Sequence, residues 1–84
     1  MSKTKQATKN LQLTQKLLDY IVLHSEDLPS FITKASTYIV FSNNDKELNK
    51  LNTKLLKEMQ AEGKNVIRAE ETGNKGAPWN FVQV

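Results

Sequence analysis

Residues 37–68 read TYIVFSNNDKELNKLNTKLLKEMQAEGKNVIR, and this stretch decides the fold of the chain. It opens with a strand-like run from Thr37 to Phe41 and closes with the apolar pair Val66-Ile67. Between them lies an amphipathic segment of helical period, which ends at Gly63, a residue suited to the left-handed turn after a helix. A strand, a helix and a strand in this order form a βαβ unit with two parallel strands. The sequence therefore predicts an α/β or α+β protein.

The helix inside this stretch has a clear start and a clear buried face. Asn44 followed by Glu47 matches the capping-box pattern, and Asp45 suits the positive end of a helix. One face is predicted to be buried and the opposite face to meet water. The buried side chains are Leu48, Leu51, Leu55 and Met59, widened by Leu56, and the solvent-facing ones are Lys50, Lys54, Lys57 and Glu58.

Two helices are predicted before the first strand. The first runs from an N-cap at Thr8 to about His24, after a frayed basic lead-in at residues 1–7. Its apolar residues form a wide stripe on a helical period. They are Leu11, Leu13, Leu17, Leu18, Tyr20, Ile21 and Val22. Pro29 then opens a short helix over residues 28–34, with Phe31 and Ile32 pointing inward.

Two strands are predicted after the central helix. The first, over residues 65–71, alternates apolar and polar side chains, which indicates an edge position. A loop starts at residue 72, and a period-two strand with Trp79 and Phe81 on one face ends the chain. We therefore expect one domain over residues 1–84, with an N-terminal helix packed on two or three strands and the last strand antiparallel.

Composition limits the class of protein. A chain of 84 residues without cysteine has a thin core and no disulfide to support it, so we expect a homodimer. The first nine residues lack the apolar run of a signal peptide, and no stretch approaches a membrane span. These features predict a cytoplasmic bacterial protein with no membrane partner.

The basic charge lies mainly at the start of the chain. Residues 1–16 carry four lysines and no acid, whereas the rest carries 8 basic and 9 acidic residues, or −1. The lysines are Lys3, Lys5, Lys9 and Lys16. They support an alternative function, a nucleic-acid-binding regulator, although a single arginine is little for base recognition.

Catalytic chemistry has few candidates. His24 is the only histidine, and its place at a helix end explains it structurally. The turn Asn43–Asp45 follows a parallel strand, where ligands often bind, but it lacks the glycines of a phosphate loop. Asp45, Glu70 and Glu71 would meet at one sheet edge and form a magnesium-type site, as in a small metal-assisted hydrolase. Simple capping and solvation are the favoured interpretations, so no catalytic, cofactor or metal residue is predicted.

The last six residues hold an apolar cluster close to a terminus. Trp79, Phe81 and Val84 either close the protein's own core or dock onto a partner or a second subunit. We therefore interpret the chain as a non-enzymatic protein-interaction or binding module that acts as a homo-oligomer, with no cofactor.

These landmarks together resemble a family of small uncharacterised prokaryotic proteins described only as a domain of unknown function. Its pattern is an Asn-Leu helix ending in a His-Pro-Glu-like turn, an Ile-Pro-x-x-Ala-like step, a strand, and Asp-x-Glu-Leu-x-x-x-Asn opening a helix before Gly-x-x-Val. The matching positions are Asn10, Leu11, His24, Glu26, Ala35, Asp45, Glu47, Leu48, Asn52, Gly63 and Val66. Ser25 and Thr33 replace the expected prolines. The resemblance implies an α/β fold and no active site.

Overall fold

A computed structural model describes residues 1–34 and 37–84. Six elements follow one another in these residues. They are α1 (Lys3–Leu23), α2 (Ser30–Thr33), β1 (Tyr38–Phe41), α3 (Lys46–Ala61), β2 (Ile67–Glu71) and β3 (Trp79–Gln83). Ala35, one of the positions of the family resemblance, lies outside the described residues. No helix in the described ranges is long and apolar enough to cross a membrane.

The three strands form one mixed sheet in the order β1-β2-β3. β1 and β2 are parallel, with Tyr38 opposite Ile67. β2 and β3 are antiparallel, with Arg68 opposite Val82. The predicted βαβ unit and the antiparallel C-terminal strand are both confirmed, and the fold is α+β.

The central position of β2 corrects the prediction that it lies at an edge. β2 lies between β1 and β3, and its side chains Ile67 and Ala69 are buried on one face of the sheet. Arg68 and Glu70 on the opposite face are only half-buried. Arg68 lies 4.2 Å above the Phe41 ring. A central strand covered well on one face and partly on the other has the alternating pattern of an edge strand, which explains the error.

The sheet separates two apolar clusters. On one face Val40, Ala69 and Trp79 pack against Leu13 and Leu17 of α1. On the other face the α3 side chains pack on β1 and on the start of β2. This second cluster contains Ile39, Phe41, Leu56 and Val66, with Leu55 and Met59 beside it. Leu48 at the start of α3 belongs to the first cluster, so α3 contacts both faces along the outer side of β1.

The first helix starts six residues earlier than the sequence predicts. Ser2 is the N-cap, and its Oγ accepts a hydrogen bond from the Lys5 amide at 3.1 Å. Thr8, the predicted cap, lies inside the helix, where its hydroxyl donates to the Thr4 carbonyl at 3.0 Å. Residues 3–7, predicted to be a frayed lead-in, form the first turns of α1.

The structure also tests the details predicted for the other two helices. The N-cap of α3 is Asp45 rather than Asn44, because the Asp45 carboxylate accepts from the Leu48 amide at 3.1 Å. The predicted capping box is therefore wrong. In α2, Ile32 is buried as expected, but Phe31 is exposed. Gly63 has φ +78°, the left-handed conformation expected after α3.

Asn52 connects both long helices to the sheet. Its side chain is completely buried. Its amide nitrogen donates to the Val40 carbonyl at 2.8 Å and to Asn10 Oδ1 at 2.7 Å. Its oxygen accepts from Gln6 at 3.2 Å and from Asn10 at 3.1 Å. All four hydrogen bonds available to an asparagine amide are made, so its burial leaves no polar atom unpaired.

Candidate functional site

A cleft of about 390 Å³ lies between α1 and the turn that joins β1 to α3. Its position at the carboxyl end of a parallel strand is common for ligand sites, and its volume lies in the range of small-molecule pockets. We call it the Lys9–Asp45 cleft. The lining residues are Lys9, Gln12, Leu13, Lys16, Ser42, Asn44, Asp45 and Leu48.

The strongest polar interaction in this cleft joins Lys9 and Asp45. The Lys9 ammonium lies 2.5 Å from one Asp45 oxygen, and the other oxygen caps the Leu48 amide. The hydrogen bond from Lys9, followed by that from Leu48, lowers the pKa of Asp45 below its usual value. Asp45 is therefore a charged helix cap that also binds α1 to the start of α3.

Two further polar side chains of the cleft, those of Lys16 and Ser42, also interact within the protein. The Lys16 ammonium is 3.8 Å from a Glu71 oxygen. The Ser42 hydroxyl donates to Asn44 Oδ1 at 2.8 Å and accepts from the Asn44 amide at 3.2 Å. A nucleophilic serine needs a neighbouring base, and neither partner of Ser42 is one. The volume and the polar lining of the cleft suit a small polar molecule.

His24 lies away from this cleft, as the C-cap of α1. Its ring centroid is 4.4 Å from that of Tyr20. The nearby acids Glu26 and Asp27 are exposed. A contact with an aromatic ring at a helix end favours the structural interpretation of this histidine.

The predicted carboxylate site is not assembled. Glu70 and Glu71 point to opposite faces because they are successive residues of β2. Glu70 forms an ion pair with Arg68 Nε at 3.2 Å and accepts a hydrogen bond from Asn80 at 3.2 Å, whereas Glu71 faces Lys16 and Asp45 faces Lys9. No group of three metal-ligating side chains occurs within the described ranges. The assumption that these three carboxylates converge is wrong.

The four lysines of the nucleic-acid alternative do not form one surface. Lys9 and Lys16 line the cleft, and each lies near a carboxylate. Lys5 follows the same side of α1, whereas Lys3 is about 160° away from it around the helix. Nucleic-acid binding by Lys3, Lys5, Lys9 and Lys16 stays a prediction.

The C-terminal strand places its aromatic side chains toward the protein's own core. Trp79 is only 8% exposed. Phe81 stacks at 6.4 Å on Tyr20 of α1. Val84 is exposed, and its amide donates to the Val66 carbonyl at 3.3 Å. A role of Trp79, Phe81 and Val84 in partner binding stays a prediction.

The outward face of α1 carries an exposed apolar row. Leu11, Leu18 and Val22 are 70%, 44% and 74% exposed. They recur at spacings of seven and four residues, so they share one side of the helix. Ala7 continues the row, and Thr4, Thr8 and Gln15 lie on the same side, all exposed. We call these seven residues the α1 outward face. None of the seven is charged, and Asp19 lies at the border of the face, where its carboxylate accepts a hydrogen bond from Gln15 at 3.2 Å.

The sequence contained a signal for this face. The apolar stripe predicted for the first helix contains two groups of side chains, Leu11, Leu18 and Val22 on one side and Leu13 and Leu17 beside them. A stripe of this width is wider than a single packing partner can cover. The structure buries Leu13 and Leu17 against the sheet and leaves the other three in contact with solvent. An excess of apolar width over what the domain covers indicates a second contact surface.

Comparison with protein-family models, with curated proteins and with solved structures finds no match to this chain. The resemblance to the domain of unknown function therefore stays a prediction. Two of the positions that carry it, Asn10 and Asn52, bond directly to each other.

Proposed function

We propose that this protein is a non-enzymatic interaction module of the bacterial cytoplasm, and that two copies associate through the α1 outward face. The observation that carries the proposal is the exposure of Leu11, Leu18 and Val22 on a helix whose opposite side already packs on the sheet. Exposed leucine and valine in a row are unusual on a monomer and typical of an interface. The lack of a base beside Ser42 supports a binding role over a catalytic one.

A second copy of the same helix fits this face better than a charged partner. The chain carries a net charge of +3, yet the α1 outward face is uncharged, so two copies can meet there without direct repulsion between lysines. α1 has 21 residues and is about 31 Å long at 1.5 Å per residue. Two such helices related by a twofold axis bring the same residues together from both sides.

The sheet edges offer a less favourable route to a dimer. The outer side of β1 is occupied by Asn49 and Asn52 of α3. β3 is the other outer strand of the described sheet. Pairing of two β3 strands would bury few large side chains, because Trp79 already belongs to the core. The helix face therefore supplies more apolar area for association.

The test is the oligomeric state of a double variant, Leu11→Glu/Leu18→Glu. Glutamate keeps the helix propensity high but places charges at the centre of the proposed interface. Sedimentation equilibrium at micromolar concentration should give a dimer for the parent protein and a monomer for the variant. Circular dichroism should show the same helix content in both.

A matched control is Leu23→Glu. Leu23 lies on the same helix and is 80% exposed, but it is roughly 120° away from Leu11 around the helix axis. This variant should remain dimeric. A monomeric parent protein, or a Leu23→Glu variant that dissociates as readily as the double variant, would refute the proposal.

A further inference from the structure

The solvent side of α3 carries a row of four lysines. Lys46, Lys50, Lys54 and Lys57 follow one another at spacings of four, four and three residues, and all four are exposed. Residues at these spacings are neighbours on one side of a helix. We call this set the α3 lysine row. It extends over about 16 Å at 1.5 Å per residue.

The arrangement is unfavourable for the isolated helix. Like charges four residues apart repel each other. Lysine is favourable near the carboxyl end of a helix, but Lys46 is the first residue of α3 and the last turn contains no basic residue. Among the described side chains, no carboxylate lies within 4.0 Å of any lysine in the row, whereas Lys9, Lys16 and Lys64 each have one. Glu47 lies three residues before Lys50 and Glu58 four residues after Lys54, but neither makes an ion pair with the row. Four exposed lysines without an ion pair among the described side chains leave this surface open to an external anionic partner.

The net charge of the chain conceals this surface. Residues 17–84 carry −1 in total, but four of their acids face cations outside the row. Asp45 pairs with Lys9, and Glu47 pairs with the amino group of Met1. Glu70 and Glu71 lie on β2, next to Arg68 and Lys16. The solvent side of α3 therefore carries four lysines, with Glu58 as the acid nearest to them in sequence that is not paired elsewhere.

We propose that the α3 lysine row binds the phosphate backbone of nucleic acid without regard to sequence. Lysine contacts phosphate as a point charge, and a straight row of ammonium groups suits a polyanion with closely spaced charges. The solvent side of α3 offers no arginine for base edges and no aromatic ring for stacking, so base recognition is not expected. A membrane surface fits less well, because the apolar side of α3 is already packed in the protein's own core.

The experiment compares two double variants of the full chain in a fluorescence anisotropy titration with a short labelled DNA duplex. Lys50→Gln/Lys54→Gln removes the centre of the row, and Lys3→Gln/Lys5→Gln removes the same charge from the start of α1. At about 50 mM salt the first variant should lose roughly tenfold in affinity. The slope of the logarithm of the binding constant against the logarithm of the salt concentration should be near −3 to −4 for the parent protein and shallower by about 2 for this variant. The second variant should lose much less. Thermal unfolding should show no loss of stability in the first variant, because it removes like-charge repulsion.

Three results would overturn the proposal. The first is a parent protein that does not bind the duplex at this salt concentration. The second is an equal loss of affinity in both double variants, which would place binding in the net charge or in α1. The third is binding to vesicles containing anionic phospholipid with none to DNA. The α3 lysine row does not include any residue of the α1 outward face. The first double variant should therefore bind DNA more weakly than the second whether the protein is a monomer or a dimer.

Discussion

The two outer edges of the sheet are treated differently by the rest of the chain. At the carboxyl end of β1, side chains of α3 bond the Val40 carbonyl and both backbone groups of Ser42, the residue after the strand. Asn49 donates to the Ser42 carbonyl and accepts from the Ser42 amide, both at 2.7 Å, and Asn52 donates to the Val40 carbonyl at 2.8 Å. At β3 no further strand follows in the sheet described.

This difference shows how a three-stranded sheet can avoid uncontrolled pairing. An unpaired strand edge is a template for a second chain. A helix that lies along β1 and offers asparagine amides supplies some of the hydrogen bonds of a neighbouring strand. Addition of another strand at β1 would have to break these bonds, whereas no α3 side chain among the described residues bonds β3. The two outer strands are also held in place by different interactions. Polar side chains of α3 bond β1, whereas a buried tryptophan anchors β3.

The largest predicted effect concerns the anchor of the β3 edge. Trp79→Ala removes a side chain that is 8% exposed and packed with Leu13 and Leu17. We expect the free energy of unfolding to fall by about 3–5 kcal/mol, a large part of the total for a domain of this size. Urea unfolding followed by circular dichroism measures the change, and Trp79→Phe should lose only part of it.

The matched control for this prediction is Val82→Ala on the other face of the same strand. Val82 is 38% exposed, so the substitution should change stability by less than about 1 kcal/mol. If Trp79→Ala proved as mild as Val82→Ala, the tryptophan would not anchor β3 in its own subunit. Docking of the strand onto a partner would then be the better interpretation.

The second prediction concerns the anchor of the β1 edge. Asn52→Ala leaves the Val40 carbonyl and the Asn10 amide buried without their partner. Each unsatisfied buried group costs about 1–3 kcal/mol, so we expect a loss of about 2–4 kcal/mol. The exposed Asn65→Ala is the control and should be nearly neutral. Hydrogen exchange should accelerate at the amides of β1 before those of β3.

A double-mutant cycle with Asn10→Ala separates the α1 contribution from that of the strand. Because Asn10 and Asn52 exchange two hydrogen bonds, their substitutions should be non-additive by about 0.5–3 kcal/mol. Additive effects would mean that Asn52 stabilises the edge of β1 but does not join it to α1.

The sequence predicted those elements whose signals are local. The apolar run at Tyr38–Phe41, the start of α3 near Asp45 and the turn at Gly63 each depend on a few adjacent residues, and all lie where expected within two residues. The pairing of β1 with β2 follows from the helix between them. The order of elements and the mixed sheet could therefore be derived without coordinates.

What could not be predicted depends on contacts between distant residues. Asn52 lies between Leu48 and Leu56 on the buried side of α3, where the apolar pattern alone reads it as an interruption. Its role appears only when the unpaired carbonyl of Val40 is known to face it. The early start of α1 was missed for a similar reason, because Gln6 and Asn10 face this buried amide rather than an apolar core.

The smallest predicted effect is a loosening of the β1 edge in acid. The pKa of Asp45 is lowered mainly by the hydrogen bond from Lys9, and that of Glu47 mainly by the hydrogen bond from the Met1 amino group. The unfolded state then binds more protons than the folded state at the ordinary carboxylate pKa of 3.8 for Asp45 and 4.5 for Glu47. Stability from both groups is complete above these values, decreases as the pH falls below them, and is fully lost once the pH has fallen through the lowered pKa of each folded group.

Asp45→Asn tests this acid effect, because asparagine is also a good N-cap but carries no charge for Lys9. In the parent protein, protection of the Leu48 amide should fall between about pH 5 and pH 3, since this amide bonds directly to Asp45. In the variant the pH dependence of this protection should be weaker, because only the contribution of Glu47 remains. Amides in the β2–β3 ladder serve as the internal control and should respond less than Leu48. If both edges lost protection together in acid, the charged pair would act on the whole fold, and the separation of the two edges would not hold.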